Sequence, residues 1–210
     1  MPITHFENLP ERARRRILNA CIDEFSQRPY RQASTNTMVK KAGIAKGTLF
    51  YFFGSKRKLF VHVFDQALQR YLDFHSSRAK KLPADLFERF FAISRIRMEF
   101  MLAEPKLYRL FFNALIEMPE EIRKELQGRF ADYAIQSRRL LMEGLDRSRL
   151  REGVPVDRAV EMIQLLSEGI LSRSTPKTTS MGPEQSLAFV RNLKKDFIVY
   201  FQMTRSDIYR

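Results

Sequence analysis

The sequence predicts an all-α fold, on three observations. Apolar residues recur at intervals of three and four over long stretches rather than alternating. Only 8 Gly and 9 Pro interrupt 210 residues. With 44% hydrophobic and 29% charged residues, the chain has enough apolar material for a substantial core.

The first helix is expected at about 10–27. Proline is tolerated in a first turn, and Ile17, Cys21 and Phe25 form a stripe at four-residue spacing. The Arg12–Arg16 cluster reads as a solvated face with general attraction for phosphate. Arg28-Pro29-Tyr30 breaks the helix, and Ser34 is the natural N-cap of a short helix at 34–41. Gly43 supplies a tight turn, a second short helix covers 46–53, and Gly54 stops it where a left-handed residue is needed. Ser55 then caps a long helix to about residue 78, with Leu59, Val63, Ala67 and Tyr71 on one stripe. Further helices are expected at 84–103, 106–117, 119–150, 156–173 and 184–204, separated at Pro105, Pro119, Gly153–Pro155 and the polar stretch Thr175–Pro183.

Charge is uneven. The formal net charge is +13, and Met1–Phe64 holds twelve Lys or Arg against four Asp or Glu, a surplus of 12 − 4 = +8. A local basic surplus suits a polyanion, because neutralised phosphates release condensed counterions. Cys21 is the only cysteine, which excludes an intrachain disulfide and a cysteine-based zinc cluster; on the apolar stripe it reads as inert core. His5, His62 and His75 lack metal-ligand spacing, and no metal or cofactor is expected. The start has no apolar stretch to serve as a signal peptide and no apolar run reaches membrane-spanning length, so the expectation is a cytoplasmic protein that does not enter the membrane.

Function concentrates in Ser34–Leu59. Two helices of about two turns joined through Ala42-Gly43-Ile44 have the proportions of a helix-turn-helix, whose second helix lies in the DNA major groove. Met38, Ala42, Ile44, Leu49 and Phe53 supply a small core, with Phe50 also assigned to packing. Lys46, Gly47, Thr48 and Tyr51 project toward DNA, where short polar and basic groups meet base edges and phosphates. Lys56 at the next helix start, and Ser34, Thr35 and Thr37 on the other flank, complete a two-sided clamp on the DNA backbone.

These motifs resemble the TetR family of transcriptional regulators. Ala42-Gly43, Gly47-Thr48-Leu49, Phe50-Tyr51-Phe52-Phe53 and Ser55-Lys56 match the family's signature in order and spacing, and Ile17, Ala20 and Phe25 resemble its first helix. The resemblance covers roughly Ala13–Phe64; beyond it, only length and helical pattern agree. It implies an N-terminal three-helix DNA-binding domain at 1–58, a helix at 55–78 leading out of it, and a larger helical ligand-binding and dimerisation domain at 59–210. This chain departs from the family in two places. Phe52 stands where the family usually carries a tyrosine whose hydroxyl touches phosphate, with Tyr51 or Lys56 available to compensate. Arg28-Pro29-Tyr30 replaces the family's glycine before the aromatic.

The resemblance implies a homodimer built by the last two helices, reading two half-sites of a double-stranded operator. Two stripes fit: Ala159, Met162, Leu166 and Ile170, and Leu187, Val190, Phe197 and Phe201. A second apolar face with Leu165, Leu171 and Ile198 suggests a partner. The resemblance also implies a cavity for a small-molecule effector. The Phe- and Met-rich middle region, with Phe91, Met98, Phe111 and Phe112, suits a largely apolar ligand, and Arg95 or Arg97 suits an acidic head group. The reading is a DNA-binding repressor released by such a ligand. Enzymatic motifs are absent from the sequence, and the rival reading is a basic helical adaptor or membrane-surface protein indifferent to DNA sequence.

Overall fold

The computed structural model describes residues 2–116, 120–174 and 183–209. Among them are ten α-helices: α1 Pro2–Glu7, α2 Glu11–Gln27, α3 Thr35–Ala42, α4 Lys46–Phe53, α5 Lys56–Arg78, α6 Leu86–Ala103, α7 Pro105–Ile116, α8 Arg123–Met142, α9 Val156–Ser174 and α10 Pro183–Ile208. No helix among the described residues is long and apolar enough to cross a membrane.

The chain forms two compact units: residues 1–78 with 99–132, and residues 79–98 with 133–210. In the first, α2 packs on α3 and α7 through the predicted stripe, and Ile17, Cys21 and Phe25 are all buried. Burial pushes the Cys21 thiol up to about 12. From α5, Leu59, Val63, Phe64, Ala67 and Tyr71 turn inward. Phe64 stacks on Phe111 at 5.7 Å and meets Phe130 edge-on at 5.4 Å. Lys106 of α7 reaches Asp23 of α2 at 2.5 Å, and Arg129 of α8 pairs with Asp65 of α5.

In the second unit, α9 and α10 pack together over a core that includes Phe87, Phe90, Val160, Ile163, Phe197 and Phe201. Its central polar feature is Arg89, 4% exposed. The guanidinium donates to the carbonyls of Pro83 at 2.6 Å, of Leu140 and Gly144 at 3.2 Å each, and of Glu143. One side chain therefore satisfies backbone acceptors at the C-terminal end of α8 that the helix leaves unpaired. Nearby, buried Asp85 accepts from the Glu88 amide at 2.9 Å and from Arg149 at 2.9 Å.

Three expectations need correction. The helix expected at 119–150 is instead a 3-10 turn at Glu120–Ile122, α8 as far as Met142, and a second 3-10 turn at Arg147–Arg149. The stop is physical: Gly144 sits at φ +72°, in the left-handed region that ends helices, and Arg89 holds the carbonyls there. Helix α1 was not anticipated, because six residues are too few for a helix to form without a surface to pack on. The last helix runs on to Ile208 instead of ending near residue 204.

Candidate nucleic-acid interface

The interface is built on α3 and α4. Ser34 caps α3 as expected: its Oγ accepts from the Thr37 amide at 3.3 Å. Its own amide donates to the Glu24 carboxylate at 2.9 Å, and Glu24, 2% exposed, also lies 3.6 Å from Arg28. A buried carboxylate on α2 thus fixes where α3 begins. At the other end Gly43 adopts φ +62°, and the Ile44 amide returns to the Val39 carbonyl at 3.2 Å, closing the turn.

Met38, Ala42, Leu49 and Phe53 are all buried, which locks the two helices together. Ile44 and Phe50 are only partly covered, while Phe52, at 7% exposure, takes the inward place expected of Phe50. With the apolar side fixed, the outward side of α4 presents Lys46, Gly47 and Tyr51, with Thr48 half-buried beside them. Tyr51 is 60% exposed, an unusual cost for an aromatic ring unless something covers it. A Cβ at Gly47 would meet nothing within 4 Å, so packing within the chain does not require glycine there. Helix α4 starts without a side-chain cap, which leaves its first N–H groups able to meet an anion.

Thr35 and Thr37 lie half-buried in the first turn of α3. Lys56 opens α5 but is more engaged than a solvated lysine. Its ammonium donates to the Arg31 carbonyl at 3.2 Å and sits 4.9 Å from the centre of the Tyr30 ring. Partial burial pulls its pKa below the ordinary lysine value, with Glu24 and Glu121 acting the other way. Lys56 therefore ties the Arg28–Ala33 connection to α5 and retains donors for an anion. Arg31 and Arg57 add positive charge alongside, each near an acidic partner: Arg31 to Glu121 at 3.6 Å and Arg57 to Glu125 at 3.7 Å.

Glu24, Tyr30 and the α1 residues were missed in the sequence. A buried glutamate on an outwardly basic helix carries no signal of its own, and Tyr30 reads as a loop aromatic until Lys56 is placed over it.

The other expected residues fall elsewhere. Phe91, Arg95 and Met98 belong to the second unit and Phe111 to the first, where it joins the aromatic core. Phe91 packs edge-on against Phe90 and Phe201. Ala159, Ile170, Phe197 and Phe201 are buried within the chain's own core, with Met162 and Leu166 partly buried against it. Among the described residues, the large apolar groups that α9 and α10 leave exposed are Leu165, Ile198, Val199 and Met203. The side chains of Phe112, Leu171, Leu187 and Val190 lie outside the described residues. An open hollow of about 720 Å³ in the second unit is lined by Arg149, Gln202, Arg205, Ser206 and Tyr209, none of them expected from sequence. No group of three His, Cys, Asp or Glu suited to a metal occurs among the described residues.

Comparison with known proteins agrees with this geometry. Residues 17–63 match the family described as "Bacterial regulatory proteins, tetR family". The fatty acid metabolism regulator protein of Bacillus subtilis (strain 168) is 20% identical over 147 residues, 70% of this chain and 75% of that protein. Among solved structures, a TetR family transcriptional regulator from Chloroflexus aurantiacus has a similar fold, with a TM-score of 0.65 at 20% identity over 99% of this chain and 98% of that one. The regulator FadR from Bacillus subtilis, solved with stearoyl-CoA, gives a TM-score of 0.60 at 17% identity over 87% of this chain and 97% of that one.

Proposed function

We propose that this chain, which belongs to the TetR family of bacterial regulatory proteins, is a repressor that binds a palindromic operator as a homodimer and leaves it when a small, largely apolar effector binds. The observation that carries the DNA-binding part is the division of α4. Leu49, Phe52 and Phe53 are buried, while Lys46, Gly47 and a 60%-exposed Tyr51 face outward from a helix held in fixed register against α3. Residues 1–58 supply the reading head, with Lys46, Thr48 and Tyr51 at base edges. Ser34, Thr35, Thr37 and Lys56 hold phosphates, and Gly47 lets the DNA backbone approach.

The homodimer reading rests on Leu165, Ile198, Val199 and Met203, apolar side chains that α9 and α10 leave in water. Similarity to a Bacillus subtilis regulator named for fatty acid metabolism, and to the structure of FadR from the same species solved with stearoyl-CoA, makes a long-chain acyl-CoA the effector to test first. Release then follows from differential affinity. The effector binds more tightly to a dimer whose recognition helices do not match the half-site spacing, and one that bound both forms equally would change nothing.

The decisive experiment is selection of bound sequences from a random duplex library at two salt concentrations, followed by challenge of the recovered duplex with acyl-CoAs of several chain lengths. A shared palindrome that survives the higher salt, and release by a subset of the acyl-CoAs, is the expected result. Bound DNA without a common sequence, lost as salt rises, would leave a basic surface that binds any polyanion.

A further inference from the structure

We infer that the N-terminal helix α1 is part of the DNA-reading surface, with His5 acting as a positioning residue for Tyr51. The inference rests on the reading of α4 as the recognition helix. Phe6 is 1% exposed, and its ring meets three others: Phe53 at 4.8 Å, His62 at 5.6 Å and Phe52 at 5.8 Å. Phe52 and Phe53 belong to α4 and His62 to α5, so Phe6 plugs the junction between the two helices. The next residue ties α1 to α2: Arg14 donates to the Glu7 carboxylate at 2.8 Å and to the Glu7 carbonyl at 3.2 Å. A helix of six residues is held at both its apolar and its polar side.

The preceding residue is placed as a result. The exposed His5 ring lies 5.3 Å from the Tyr51 ring at an interplanar angle of 31°, and Phe52 flanks Tyr51 at 5.8 Å. An exposed tyrosine on a short helix would otherwise sample several rotamers, and each would have to be given up on binding. With His5 beside it, Tyr51 keeps one orientation in the free protein. The same plug accounts for Phe52: covered by Phe6, this position faces the interior of the domain, where a phenol hydroxyl would need a partner.

A merely structural α1 would affect thermal stability and binding to all DNA alike; a positioning role affects recognition. The test uses the full chain and the duplex that the wild type selects. His5→Ala is expected to weaken binding to that duplex by about two- to tenfold, the usual worth of one aromatic contact. Binding to a scrambled duplex and the melting temperature should stay unchanged, and base preference should broaden at the positions that Tyr51→Ala also broadens. His5→Phe should restore the wild-type preference, and His5→Ala should add nothing in a Tyr51→Ala background. If His5→Ala selects as the wild type does, or its effect persists without Tyr51, the inference is overturned. A wild type that selects no shared sequence overturns the functional reading itself, and this inference with it.

Discussion

Each unit of the chain buries a charged side chain that serves the backbone, and the two differ in what depends on it. Glu24 in the first unit accepts the Ser34 amide and faces Arg28, which remains 61% exposed, so part of its charge is answered from the solvent edge. Arg89 in the second unit is enclosed and donates to four backbone carbonyls, three of them at the point where α8 stops, with the Glu143 charge nearby. The first arrangement aims a short helix; the second completes a fold. A buried ion that satisfies several backbone groups is worth more than one that directs a single amide, because its removal strands every partner at once.

That ranking can be broken directly. Arg89→Met should destabilise the second unit by about 3–5 kcal/mol, since methionine keeps an unbranched stem but leaves four acceptors unpaired; urea unfolding followed by circular dichroism measures it. Glu24→Ala should cost less, about 1–3 kcal/mol, yet abolish specific DNA binding at temperatures where the protein is still folded, because α3 loses its anchor. If Arg89→Met proved the milder of the two, the single amide held by Glu24 would matter more to stability than the four carbonyls held by Arg89. Lys56→Ala should lower affinity for all duplexes and reduce the salt slope by about one, as expected for a single phosphate contact. A titration at several salt concentrations decides this, and an unchanged slope would confine Lys56 to holding Tyr30 and Arg31.

The smallest effect concerns pH. His62 Nε2 is buried without a hydrogen-bond partner, with the Glu7 carboxylate 4.0 Å away. Burial holds its pKa below the ordinary 6.5, against the opposing pull of Glu7 and Asp65. The folded chain therefore takes up this proton later than the unfolded chain as pH falls. Its penalty is absent well above pH 6.5 and grows below it. Melts at about pH 7.5 and pH 5.5 should show a smaller acid loss for His62→Phe than for the wild type.

The helix-turn-helix was legible because its boundaries are set by residues with one conformational use. Ser34 caps α3, Gly43 and Gly54 sit at φ +62° and +73°, and both α3 and α4 end within a residue or so of where those signals place them. The C-terminal stripes were less legible for an opposite reason. Ala159, Ile170, Phe197 and Phe201 have the spacing of a buried face, but spacing does not say whether the chain or a second copy buries it. The stop at Gly144 was missed, with one helix expected through 119–150, because its partner Arg89 lies 55 residues away and no local pattern joins them. Helix α1 was hidden altogether, since its stability comes from Phe6 in a ring cluster and not from its own six residues.

Cys21 gives the first unit a built-in clock. Its thiol has no exposed surface and stays protonated to about pH 12, so a thiol reagent at neutral pH modifies it only during moments when α2 lifts away from its neighbours. With one cysteine in the chain, the modification rate counts those openings alone, without engineering a label. A bound operator duplex would slow the modification in proportion to the fraction of protein left unbound, so the same sulfur that plays no part in recognition would report when recognition has occurred.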